Sequence, residues 1–79
     1  MWVVYILRSL KDGKYYVGST SDLGDRLKRH NAGGTPSTRH RRPLEIVYSE
    51  ECRTRGEAVS REFKIKSYKG GEAFKKLVS

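Results

Sequence analysis

With 79 residues, 17 Lys or Arg and 9 Asp or Glu, the chain has a formal charge of +8 and the length of one domain, 1–79. At that size only about 60% of the unfolded surface is buried, so the core must be economical and no second lobe is expected. One cysteine excludes an internal disulfide and points to a reducing compartment, and with two histidines it excludes a tetrahedral zinc set. No apolar run approaches the ~18 residues of a membrane span and the amino terminus lacks a signal core, so a cytoplasmic protein with no membrane partner is expected.

The first stretch, Trp2 to Thr20, reads WVVYILRSLKDGKYYVGST. Trp2 to Leu7 is apolar without alternation, as in a central strand covered on both faces. Lys14 to Thr20 is its neighbour, and Asp12-Gly13 suits a two-residue hairpin loop. That loop places Tyr5 opposite Thr20 and Leu7 opposite Gly18, with Tyr5, Leu7 and Ser9 on one face with Tyr16, Gly18 and Thr20. Tyr5 and Tyr16 then share a surface while lying roughly 13 Å apart along the strands, out of contact.

Ser21 or Asp22 caps a helix running to about Ala32, where Gly33-Gly34 ends it. Its apolar stripe holds Leu23 and Leu27 but also His30 and, at the edge, Arg26. Both polar groups need a partner there. The plain alternative is an arginine that snorkels past Leu23 and a histidine bonded to a backbone carbonyl.

Residues 31–43, NAGGTPSTRHRRP, have no period and read as a flexible basic loop. Leu44 to Ser49 alternates as a third strand, completing an antiparallel sheet with the first strand in the middle. Glu50 to Arg53 is then a polar connection. Thr54 caps a second helix with Glu57 at the capping-box spacing, ending near Ser67 or Tyr68. On this helix Glu62 and Lys66 lie inside the arc defined by Ala58, Ile65, Val59 and Phe63. An exposed Glu62–Lys66 pair stabilises by only about 0.3 kcal/mol, too little to account for an inward-facing acid. Beyond Gly70-Gly71, Glu72 to Val78 forms a last short helix, with Ala73, Phe74, Leu77 and Val78 available for packing.

Charge follows this layout unevenly. Residues 1–25 balance to zero and 43–60 come to −2, whereas 26–42 contain six Lys or Arg and no carboxylate, and 61–79 add +4. Clustering of this kind favours a polyanion, most simply nucleic acid, with Lys28, Arg29, Arg39, Arg41, Arg42 and Lys66 as the contacting residues. Its rival is a merely solvated charged face.

Polar residues on otherwise apolar surfaces mark functional sites, and here they are Tyr5, Tyr16, Arg26, His30 and Glu62. They converge if both helices pack on the tyrosine-bearing face. The set holds a carboxylate for a hard divalent cation, an arginine for a phosphate, and hydroxyl and imidazole groups for a proton. Without paired carboxylates or a Ser-His-Asp arrangement, glycoside hydrolysis and serine-type acyl transfer are disfavoured, and metal-assisted phosphodiester hydrolysis fits best.

At these residues the chain resembles the GIY-YIG nucleases, in particular their small stand-alone members. Val3-Val4-Tyr5 stands at the first motif and Tyr16-Val17-Gly18 at the second, followed by Asp22-Leu23, Arg26-Leu27, His30 and Arg61-Glu62. The resemblance implies an α+β fold, a three-stranded antiparallel sheet flanked by helices, and cleavage of nucleic acid, DNA rather than RNA, with Mg2+ or Mn2+. It implies Tyr5 as general base, Glu62 as metal ligand, Arg26 on the scissile phosphate, and Tyr16 and His30 ordering water and sharing the proton. A tyrosine of ordinary pKa about 10 needs nearby cations, such as Arg26, or a histidine relay for that role. Two departures stand out: Val3 replaces the first glycine of the family name, and the late asparagine many members carry is missing, Asn31 being the only one. The rival readings are a non-catalytic nucleic-acid-binding module on the same scaffold and, less favoured, an RNA- or ribosome-associated accessory protein.

Overall fold

A computed structural model describes residues 1–79. Three strands, β1 (Trp2–Ser9), β2 (Tyr15–Thr20) and β3 (Leu44–Cys52), form one antiparallel sheet in the order β2-β1-β3. The helices are α1 (Leu23–Asn31), α2 (Arg55–Ser67) and α3 (Glu72–Val78). This is the expected α+β arrangement with β1 at the centre. Val4, Tyr5, Ile6 and Leu7 are all buried, which is why that run shows no alternation.

The hairpin register differs from expectation by two residues. Ser9 N–H donates to the Lys14 carbonyl at 2.8 Å and Gly13 N–H to the Ser9 carbonyl at 2.9 Å, so the loop is the four residues 10–13. Ser9 decides this: its hydroxyl oxygen accepts from the Lys11 and Asp12 N–H groups, both at 3.1 Å, holding open a wider turn that Gly13 closes at φ +74°. Tyr5 therefore lies opposite Gly18 and Leu7 opposite Tyr16. An even shift preserves faces but not distances. The Tyr5 and Tyr16 rings, expected to be out of contact, stand with centroids 6.3 Å apart.

The third strand is longer than its alternation suggests, taking in Glu50, Glu51 and Cys52. Its register breaks between Ile6 and Leu7: Leu7 pairs with Ile46 and Ile6 with Tyr48, leaving Val47 as the extra residue of a bulge. The bulge turns Leu44 toward one face of the sheet and Tyr48 and Cys52 toward the other.

Two cores result. Tyr5, Leu7 and Leu44 pack with Tyr16, Leu23 and Leu27 on the α1 side. Val4, Ile6, Val17, Cys52, Ala58, Ile65 and Phe74 pack on the side of α2 and α3. The helices thus flank opposite faces rather than sharing the tyrosine face. Within α2 the buried positions are Ala58 and Ile65, while Val59 and Phe63, expected on the apolar arc, are 38% and 74% exposed.

Local signals set the helix ends. The Asp22 side chain accepts from Asp25 N–H and Thr54 from Glu57 N–H. Arg61 pairs with Glu50 at 3.1 Å and donates to the Tyr68 hydroxyl at 3.4 Å, tying α2 to β3 and to the end of its own helix. Asn31 clamps the start of β3, donating to the Leu44 carbonyl at 3.1 Å and accepting its N–H at 2.8 Å. The basic loop is pinned rather than free. It carries a 3-10 turn, Arg39–Arg41, whose Thr38 is fully buried, and Ser9 donates to the Arg41 carbonyl at 2.6 Å. No helix is long and apolar enough to cross a membrane.

Candidate active site

On the α1 side of the sheet, Tyr5 lies across Gly18. A Cβ built on Gly18 would stand 2.6 Å from the Tyr5 hydroxyl oxygen and 3.1 Å from the Tyr16 ring, so only glycine admits the phenol there. His30, one turn beyond Arg26 on α1, is fully buried against both tyrosines, its ring centroid 6.0 Å from Tyr5 and 4.9 Å from Tyr16.

Hydrogen bonds order these groups into a chain. Tyr5 Oη is 3.1 Å from His30 Nε2, and His30 Nδ1 is 2.8 Å from Thr38 Oγ1. Thr38 donates its own proton to the Thr35 carbonyl at 3.4 Å, and a carbonyl can only accept. Thr38 therefore accepts from His30 Nδ1–H, which leaves Nε2 without a proton and able to accept from Tyr5. Burial, then the charges of Arg26 and Arg29, lower the His30 pKa below its ordinary 6.5, so the imidazole is neutral at pH 7.

Burial followed by the neighbouring Tyr16 pushes the Tyr5 pKa up to about 12, although Arg26 pulls it down. The expectation that cations ease its ionisation is thus met in sign and outweighed in size. Tyr5 is a protonated, fully covered phenol bonded to a neutral histidine.

Glu62 arrives from the opposite side of the sheet. Its Oε1 accepts from the Ser19 hydroxyl at 2.8 Å and its Oε2 pairs with Lys66 at 2.7 Å. Ser19 alternates with Gly18 and Thr20 and so points to the α2 side of β2. The carboxylate's charge is the smallest of the influences on Tyr5, raising its pKa slightly further. Tyr5, Tyr16, Arg26 and His30 thus belong to one face, while Glu62 lies on the far side of β2, where its direct partners are Ser19 and Lys66. The simple i, i+4 pair with Lys66 is present as well.

The basic residues surround α1 and the loop. Arg42 packs over Gly33, where a Cβ would lie 2.9 Å from its Nη1, and Arg29 packs over Gly34 with its Cγ at 2.8 Å. The adjacent glycines thereby leave room for an arginine each, one from α1 and one from the end of the loop. Arg39 donates to the Gly33 carbonyl at 3.2 Å and Arg42 to the Arg39 carbonyl at 2.8 Å. Lys28 is exposed, and half-buried Arg41 stands 3.8 Å from Asp12.

No three His, Cys, Asp or Glu side chains cluster as a metal cage. What the site presents to a hard cation is one carboxylate, Glu62, already bonded to Ser19 and Lys66. That donor set suits a largely hydrated ion shared with a substrate phosphate. Asn31, held on the Leu44 backbone, does not supply the missing late asparagine. Ser19 and Thr38 are site residues that the sequence did not single out, each looking like an ordinary strand or loop hydroxyl.

Comparison with known proteins identifies the family. A family model described as the GIY-YIG catalytic domain matches residues 1–75. A UPF0213 protein of Desulfotalea psychrophila is 46% identical over 67 residues, 82% of this chain and 60% of that protein. The chain thus spans under two thirds of that relative. A UPF0213 protein of Staphylococcus aureus is 42% identical over 66 residues, covering 82% of this chain and 79% of its own length. The solution NMR structure of a UPF0213 protein of Bacillus halodurans is 35% identical, with 92% and 90% of the two chains covered and a TM-score of 0.49. The family match takes in both tyrosine-bearing strands, the helix of Arg26 and His30, and Glu62, and the chain belongs to the GIY-YIG family.

Proposed function

We propose that this protein is a divalent-metal-dependent endonuclease that hydrolyses phosphodiester bonds in nucleic acid, DNA in preference to RNA, in repair or recombination. The observation that carries the reading is the buried chain Tyr5–His30–Thr38, with Arg26 acting on the same phenol. A base assembled this way does not require a free phenolate. As water attacks phosphorus, its proton passes to Tyr5 Oη while the Tyr5 proton passes to His30 Nε2; the P–O bond to the leaving strand breaks and its electrons stay on the leaving oxygen. Arg26 is half-buried, and its guanidinium neutralises charge on the non-bridging oxygens of the scissile phosphate. Tyr16 orders the attacking water beside it. Glu62 would hold Mg2+ or Mn2+, which would supply Lewis-acid stabilisation of charge on the leaving oxygen. Lys66, now paired with Glu62 at 2.7 Å, would be free to meet a phosphate if Glu62 held the ion.

Thr38 matters here because it sets which nitrogen of His30 is free. Thr38→Val is expected to lower the cleavage rate while leaving DNA affinity in place, and Thr38→Ser to restore the rate. Single-turnover cleavage beside a binding titration checks this. Equal rates for the valine and wild-type proteins would remove Thr38 from the mechanism.

One further reading has its own support: with Glu62 held by Lys66 and Tyr5 covered, the scaffold suits a binding module that does no chemistry. Incubation of branched, nicked and single-stranded DNA with Mg2+ or Mn2+ separates the two. The nuclease cuts at least one substrate, stops on addition of chelator, and loses activity with Glu62→Ala while remaining folded. Cleavage shared equally by Glu62→Ala would indicate contamination or a different site. Salt-sensitive binding indifferent to chelator and lost on neutralising Arg39, Arg41 and Arg42, with no cutting, would establish the binding module.

A further inference from the structure

A hollow of about 310 Å³ opens between the outer edge of β2 and the carboxyl-terminal end of α2. Its volume lies at the low end of the ~300–1,000 Å³ of small-molecule sites, fit for one nucleotide-sized group. Val17, Ile65 and Phe74, all buried, are among its lining residues. Tyr15 also lines it, 40% exposed, its ring set edge-on to Phe74 at 5.1 Å and 73°. An aromatic side chain kept in solvent and steered by a buried neighbour is a stacking surface ready for use.

The strand edge adds polar groups. Because Ser9 N–H bonds the Lys14 carbonyl, the antiparallel alternation turns the N–H and C=O of Tyr15 and Val17 away from β1. β2 has no second neighbour, so these groups pair with no other strand. Lys66 and Lys69 supply positive charge. Lys69 makes no ion pair and sits at φ +49°, a left-handed conformation that glycine adopts without strain and lysine does not. It follows the end of α2 and precedes Gly70, itself at φ +78°. A lysine where glycine is the less strained choice is an observation that asks for a use. Lys66 bonds Glu62 at 2.7 Å and so links the rim of the hollow to that carboxylate.

We propose that this hollow binds one unpaired nucleotide of the nucleic-acid strand, its base stacked on Tyr15 and its phosphate on Lys69. A base still paired and stacked in a duplex cannot enter, so the occupant is a displaced or single-stranded nucleotide. The free N–H and C=O groups of the β2 edge meet the polar edge of that base. The proposal rests on the nucleic-acid reading above but not on catalysis.

The test is therefore made in chelator, where no strand is cut. A short single-stranded oligonucleotide carrying one 2-aminopurine is titrated into the full chain, following probe fluorescence and the amide signals of Tyr15, Lys69 and Phe74. Binding is expected to change the fluorescence and move those signals. Tyr15→Ala is expected to weaken affinity by about 5- to 160-fold, the range set by loss of one base–aromatic stack. Lys69→Gly is expected to weaken affinity while raising Tm, because glycine removes the left-handed strain; a merely structural lysine would raise Tm and leave affinity alone. Should wild type bind while those amides stay still, or both variants bind as tightly as wild type, the hollow belongs to another partner and the proposal falls. Failure of wild type to bind any oligonucleotide would overturn the nucleic-acid reading itself.

Discussion

Replacing Tyr5 by Phe is expected to abolish cleavage, a loss on the order of 10²- to 10⁴-fold, while leaving nucleic-acid affinity and the fold in place. The ring still fills its place over Gly18, but neither the proton acceptor nor the link to His30 remains. His30 Nε2 then lacks its partner, so a stability loss of about 1–3 kcal/mol accompanies the change, measurable by urea titration. The pH dependence is specific. His30 has its pKa lowered by burial and by Arg26 and Arg29, so the neutral acceptor persists through pH 7. Wild-type cleavage should hold as pH falls past 6.5 and decline only in the more acidic range where the buried imidazole at last takes a proton. A rate that halves at or above the ordinary histidine value would contradict the neutral relay.

Stability follows the same two groups with opposite signs. The folded state prefers neutral His30, so its contribution is complete above pH 6.5 and is lost as pH falls through the lower folded value. The folded state also prefers neutral Tyr5, so that contribution is complete below pH 10 and is lost as pH rises toward about 12, amounting to about 3 kcal/mol at ~1.4 kcal/mol per pKa unit. Tyr5→Phe should therefore flatten the alkaline limb of the stability profile.

Gly18→Ala is the second large effect. The added methyl carbon would sit 2.6 Å from the Tyr5 oxygen and 2.8 Å from its ring carbon, inside any permitted contact, and the Tyr16 ring at 3.1 Å closes the sideways escape. The phenol must swing off His30 or the strands must part. We expect about 1–3 kcal/mol of destabilisation, as for overpacked cores, together with loss of cleavage as severe as in Tyr5→Phe. Chemical-shift mapping of His30 provides the check, since an unmoved imidazole signal in a folded Gly18→Ala protein would show that the phenol tolerates the methyl group.

Much of the fold is legible residue by residue. The uninterrupted Val4–Leu7 run marks a strand buried on both faces, and Asp22 and Thr54 mark two helix starts by side-chain chemistry that acts within one turn. These are short-range effects, and a linear sequence displays them directly. The residues of the candidate site are legible too, because a phenol, a guanidinium, an imidazole and a carboxylate on apolar stripes break the local pattern. Their mutual placement is another matter. The two-residue error in register came from a single hydroxyl, Ser9, bonding into the turn and selecting the longer loop.

What the sequence determined by itself is therefore the element types, the central strand, the excess positive charge and the identity of the groups that do not fit a plain core. Only tertiary structure decided that α1 and α2 take opposite faces, that Glu62 bonds Ser19 on the far side of β2, and that Thr38 of an aperiodic loop orients His30. Each depends on contacts between residues 8 to 43 positions apart, where a bulge or a turn upstream changes which atoms meet. Caps and periodicity act over a few residues and leave such long-range pairings open; the packing of two small cores on one sheet selects among them.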